Sequence, residues 1–279
     1  MNTPQLDALL RGFRRQLRMI RVARFVLLAG TAVAVIWASR LPHPDNKRMM
    51  FAIFIGTLVI WVLTMIKNAK DGRYVQTAGA LLSVGQLDDA EVWLRRVLEQ
   101  FSLSARAKLV ACQQLASLLF RRDDHQNVVR VCAELLQQRS GRLHSIWINT
   151  RLMMADSLLM LDRVPEAYDA IRPVYDATLS LSDRMKLLPL QLRYELAADY
   201  PSAAVQALPE KLQIAELLDS PRAALVHALL AEACRRTHMT EQQAFLTERA
   251  WLYHDLDELA VRYPVIAPIA ASRATGASA

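Results

Sequence analysis

Two unrelieved apolar stretches open the chain, Val22 to Ser39 and Met49 to Ile66, separated by the residues RLPHPDNKR. Beyond residue 73 the pattern changes. Apolar residues then recur three or four apart, as at Leu81, Leu82, Val92, Leu94, Val97 and Leu98, which is the spacing of one helix face. No alternating, strand-like run interrupts it. A helix rises about 1.5 Å per residue, so roughly 20 apolar residues cross about 30 Å of hydrocarbon. Met49–Ile66 supplies 18 uncharged residues. The first stretch has 15 between Arg24 and Arg40, and reaches spanning length with Val22, Ala23 and Leu41 if both arginines extend to the interfaces. Trp37 and Trp61 fall where an aromatic belt would lie. A buried hairpin of a soluble protein would show polar faces, which neither stretch has. A cleaved signal peptide ending near AVIWAS is opposed by the second apolar run that follows it. The pattern therefore predicts a transmembrane helical hairpin, 22–39 and 49–66, followed by an all-α domain.

Residues 1–21 carry a different pattern. Thr3 and Pro4 suit a helix start. Leu6, Leu9, Leu10, Phe13, Leu17 and Ile20 follow at helical spacing, with arginines mostly on the other face. This predicts a basic amphipathic helix lying on an anionic leaflet, with a plain extension of the first span as its rival. Within the spans, Gly30, Ala34 and Ala38 are spaced by four, as are Ala52 and Gly56. Small residues at that spacing let helix backbones approach in lipid. They are expected to close the hairpin on itself, with a homo-oligomer through the hairpin as their lesser use.

Charge sets the expected orientation. Arg11, Arg14, Arg15, Arg18, Arg21 and Arg24 precede the first span and Lys67, Lys70 and Arg73 follow the second, against Arg40, Lys47 and Arg48 in the connection. The positive-inside rule puts both termini in the cytoplasm. The net charge of +7 also belongs wholly to residues 1–66; residues 67–279 hold 25 basic and 25 acidic side chains. The basic pI is thus a topology and lipid signal, and excludes nucleic acid as the expected partner.

The region after residue 73 contains a repeat. In AGALLSVGQLDDAEVWLRRVLEQF (78–101) a helix ends near Val84, Gly85 permits a turn, and Ala90 opens the contact face of a second helix. In MADSLLMLDRVPEAYDAIRPVYDA (154–177) Asp162 stands where Gly85 stood, Pro165 lies in the first turn of the second helix, and Ala167 matches Ala90. Further units place Val128, Ala203 and Ala244 at the same position. This resembles the tetratricopeptide repeat family, whose consensus has a turn glycine and an alanine five residues later. Its longer spacing here makes the units degenerate, and a generic solenoid of helical hairpins is the plainer alternative. The resemblance implies an α-solenoid of helix pairs whose first helices line a groove that binds protein partners. The groove candidates are Gln113, Phe120, Leu152, Asp156, Leu159, Leu188 and Leu192. The family's carboxylate-gripping positions correspond to Val75, Gly79, Gln113, Ser117, Leu152 and Asp156, which carry no basic clamp, so acidic C-termini are not the expected ligand.

No chemistry-bearing motif stands out. Cys112, Cys132 and Cys234 are scattered among apolar helical neighbours, with no CxxC pair. The histidines form no ligand set, and there is no phosphate loop, G-x-S-x-G or HExxH. Asp88–Asp89 and Asp123–Asp124 read as acids at helix starts, favoured by the helix dipole. The expectation is no enzyme, no cofactor and no metal. The tail 264–279, PVIAPIAASRATGASA, reads as disordered. The function expected is a membrane-anchored scaffold or adaptor over the domain 67–263. Its alternative is a non-catalytic accessory or assembly subunit of a membrane complex.

Overall fold

The computed structural model describes residues 3–39, 45–100, 104–138 and 144–276. No strand occurs among the described residues, in keeping with the all-α expectation. The chain divides into two compact units, residues 1–140 and 141–279.

The first unit comprises α1 (Thr3–Ser39), α2 (Asp45–Val84), α3 (Leu87–Glu99), α4 (Ala105–Arg121) and α5 (His125–Gln137). The first two helices each cross a boundary the sequence was expected to mark. α1 joins the amphipathic segment and the first apolar stretch without a break, and α2 joins the second stretch to the first repeat helix. Both are long and apolar enough to cross a membrane. Their apolar stretches are exposed: Phe25, Leu28, Val33 and Trp37 on α1, and Phe51, Phe54, Leu63 and Ile66 on α2.

The amphipathic segment corrects its expected role. Leu6, Leu9, Leu10, Phe13, Leu17 and Ile20 are all buried, and α1 packs on α2, α3, α4 and α5. Protein, not a leaflet, covers this face, because helix neighbours offer apolar surface that needs no lipid. Gln16 Nε2 donates to the Glu99 carbonyl at 2.7 Å, Arg14 pairs with Glu134 at 3.2 Å, and Arg130 pairs with Asp7 at 2.8 Å.

The second unit comprises α6 (His144–Met160), α7 (Val164–Tyr175), α8 (Leu181–Ala197), α9 (Pro201–Val205), α10 (Leu208–Ala215), α11 (Ser220–Arg236), α12 (Thr240–Tyr253), α13 (Leu256–Arg262), a single 3-10 turn (Pro264–Ile266) and α14 (Ala267–Gly276). α11 is its axis. Every residue from Ala223 to Cys234 is buried, with α8, α9, α10, α12, α13 and α14 packed around it. Two polar groups, His227 and Glu232, are enclosed with it. Glu232 is held by Arg235 and Arg236 at 2.7 and 2.8 Å, and Arg236 also donates to the Leu196 carbonyl, tying α11 to α8. The expected disordered tail is another correction. Pro264 starts a 3-10 turn instead of ending order, and Ile266, Ile269 and Ala270 insert into the apolar core around α11. Residues 277–279 lie outside the described residues.

One local motif recurs through both units. Gly85, Asp123, Asp162, Asp199 and His238 all adopt left-handed backbone, at successive spacings of 38, 39, 37 and 39 residues. Each donates its N–H to the carbonyl three residues back, and the next residue donates to the carbonyl five back, as in Gly85→Leu82 and Gln86→Leu81 or Asp162→Leu159 and Arg163→Leu158. This pair of hydrogen bonds satisfies the last carbonyls of the first helix. In each case the residue five after the turn then donates to the new helix's cap carbonyl: Ala90, Val128, Ala167, Ala204 and Gln243.

That register bears on the six packing positions read from sequence. Gly85 (φ +87°) is the turn, and Ala90, Val128 and Ala167 are buried at the predicted place. Ala203 is displaced by one, since Ala204 is the fully buried residue. Ala244 is exposed, and α12 packs through Leu246 and Ala250 instead. Asp123 is the turn residue of α4, while Asp124 caps α5 by accepting from the Asn127 N–H at 3.3 Å.

Candidate partner-binding surface

The groove candidates lie on first helices of pairs, but few of them form a surface. Leu188 and Leu192 on α8 are 4% and 0% exposed and belong to the α11 core. Leu152 on α6 is buried, and Leu159 only half-exposed. Asp156 forms an ion pair with Arg193 of α8, whose guanidinium also covers the Tyr263 ring at 4.7 Å. In the first unit Phe120 meets His125 edge-on at 5.4 Å, and Gln113 is half-buried. The expected groove is therefore corrected for Leu152, Leu188, Leu192 and Asp156. First helices with several apolar faces spend them on neighbouring helices before any remain for a ligand.

The second unit instead exposes a cluster of tyrosines. Tyr168 of α7 and Tyr194 of α8 stack with ring centroids 5.5 Å apart and planes 22° apart. Tyr175 lies two helical turns from Tyr168 on the same face of α7, and Tyr200 sits at the turn into α9. Tyr168, Tyr175 and Tyr200 are exposed while Tyr194 is half-buried beneath them. Partial burial raises the Tyr175 hydroxyl above its ordinary range, and the nearby Glu195 carboxylate raises it further. Tyr194 is raised in the same way, through burial first and then through Tyr168, Tyr200 and Glu195. The Tyr175 and Tyr194 hydroxyls thus stay protonated and able to donate. Large rings with a polar tip suit a protein partner, because they bury much area at little entropic cost. Sequence reasoning missed this patch: it followed first-helix faces, whereas Tyr168 and Tyr175 lie on a second helix. The seven-residue interval between them was the one available signal.

The hairpin seam is also corrected. A Cβ at Gly30 or Gly56 would meet no atom within 4 Å, and Ala52 is exposed. Ala34 is half-exposed beside Gly30, in a shallow apolar notch between Phe25 and Trp37. The side chain of Ala38 lies outside the described residues, as does the connection 40–44. The two apolar stretches are thus not closed on each other at Gly30, Ala52 and Gly56.

Where the apolar stretches of α1 and α2 meet the rest of the first unit, Arg96 covers both Tyr74 (5.3 Å) and Trp93 (5.7 Å), and Arg21 donates to Gln138 at 3.4 Å. The three cysteines are buried, and burial pushes the Cys132 thiol up to about 12. Among the described residues no group of His, Cys, Asp or Glu is arranged to hold a metal ion. Comparison with protein-family models, with curated proteins and with solved structures gave no match.

Proposed function

We propose that this protein is a membrane-anchored, tetratricopeptide-like helical-repeat scaffold that binds a protein partner close to the bilayer surface, with both termini in the cytoplasm. One observation carries the reading. Two helices whose apolar stretches are exposed continue without a break into a body built on a turn motif recurring at near-constant spacing. Lipid is the solvent such stretches require, and unbroken helices keep the first unit near the headgroups. Confinement to that layer raises its effective concentration toward other membrane proteins. The tyrosine patch of the second unit supports a protein ligand.

The test is a photo-cross-linking residue placed at Tyr168 or Tyr200 in the membrane-bound chain. Adducts to one protein from these sites, and none from the exposed Glu248, support the reading. Release of the chain by alkaline carbonate, or adducts indifferent to position, contradicts it. A second reading is favoured by the open positions at Gly30 and Gly56. There the spans themselves pack on helices of a membrane complex, of which this chain is a non-catalytic accessory subunit. Cross-links from residues 30 and 56 to another membrane protein would select it.

A further inference from the structure

The face of α1 opposite its buried side runs from charged to apolar without interruption. Arg11, Arg15 and Arg18 lie on it at helical spacing, with Arg14 at its edge. One turn further on, the same face continues as Met19, Val22 and Val26, which are 45, 62 and 60% exposed. Together they line one shallow groove. Arg14 is neutralised by Glu134, whereas Arg11, Arg15 and Arg18 have no ion pair among the described residues.

We propose that this groove binds an anionic phospholipid whose headgroup carries two phosphates, with an acyl chain along Val22 and Val26. The inference rests on α1 being a membrane span. Three unpaired guanidiniums immediately below exposed hydrocarbon-facing residues complement an anion that is itself attached to hydrocarbon. Guanidinium forks match phosphate oxygens. From Arg11 to Arg18 is seven residues, or about 10 Å of helix axis. A single phosphate next to Val22 reaches Arg18 and Arg15, and engaging Arg11 as well calls for a second.

The test uses the full chain in vesicles of neutral lipid doped with diphosphatidylglycerol or with phosphatidylglycerol at equal phosphate, followed by mild detergent and mass spectrometry of retained lipid. The wild type should retain the diphosphate lipid about tenfold better. The triple variant Arg11→Gln, Arg15→Gln, Arg18→Gln should lose that preference. The variant Lys67→Gln, Lys70→Gln, Arg73→Gln, which removes equal charge from α2, should keep it. Equal retention of both lipids by the wild type, or equal loss in the two variants, overturns the site. Circular dichroism checks that the variants remain helical. Carbonate treatment separates the two claims. A chain that stays in the pellet without lipid preference rejects the site alone; a chain released to the supernatant rejects the span as well.

Discussion

The Lys108 ammonium donates to the Val97 carbonyl at 2.6 Å from a side chain with no solvent exposure. It also donates to Leu98 at 3.0 Å and reaches Gln100, so one cation of α4 closes the last carbonyls of α3. Those carbonyls have no partner within their own helix, and a cation at a helix C-terminus meets the negative end of its dipole. Burial nevertheless lowers the ammonium to about 8. Lys108→Met keeps most of the stem and removes the donor. It should cost about 2–3 kcal/mol in denaturant unfolding. Between pH 8 and the ordinary lysine range the unfolded chain binds a proton that the folded chain has lost. The contribution of this group to stability therefore rises with pH across that window, and the rise should vanish in Lys108→Met.

The recurring left-handed turn predicts opposite outcomes at equivalent positions. Gly85 at φ +87° has space for a side chain but not the conformation for one, so Gly85→Ala should cost about 1 kcal/mol. Asp162 holds φ +57° with a side chain already present, so Asp162→Gly should be neutral or stabilising by about 0.5 kcal/mol. Paired denaturation curves decide; a cost at Asp162 like that at Gly85 would contradict the shared motif.

Core and surface separate in the second unit. Leu188→Glu with Leu192→Glu places two carboxylates beside α11 and should unfold the unit, at a cost above about 4 kcal/mol. Tyr168→Ala with Tyr200→Ala should leave helical content and melting close to wild type and reduce partner cross-linking. The reverse pattern would restore the leucine groove.

Acid should weaken the second unit through His227. The imidazole is fully buried, its Nδ1 lies 2.8 Å from the Ala223 carbonyl, and Glu216, Arg249 and Tyr253 face it. Burial depresses its titration below the ordinary value near 6.5. As pH falls through that value the unfolded chain gains a proton that the folded chain resists, so stability falls. His227→Phe should flatten the profile below about pH 6.5.

Ordering of the C-terminal segment is checkable by truncation at Ile269. Its side chain is wholly buried, so Ile269→Ala should cost about 2–4 kcal/mol, while Ser272→Ala, half-exposed and bonded within its own helix, should cost little. Equal, negligible effects would return the segment to disorder.

Local physics made part of this protein legible in its residues. Unbroken apolarity identified the two candidate spans, three-to-four spacing identified the helices, and Gly85, Ala90, Asp162 and Ala167 located the turn that recurs. These signals depend on neighbours within one or two helical turns, which sequence order preserves. Competition among apolar faces was decided only by the tertiary structure. Leu6 to Ile20 and Leu188 to Leu192 each present a face equally suited to lipid, ligand or core, and only the packing of α1 on its neighbours and of α8 on α11 assigns them to core. The same holds for Ile266 and Ile269, whose small-residue context hides a core that lies far away in sequence. The tyrosine patch emerged for the converse reason: Tyr168 and Tyr175 come from α7, Tyr194 from α8 and Tyr200 from the turn into α9, and their surface exists only once those elements are side by side.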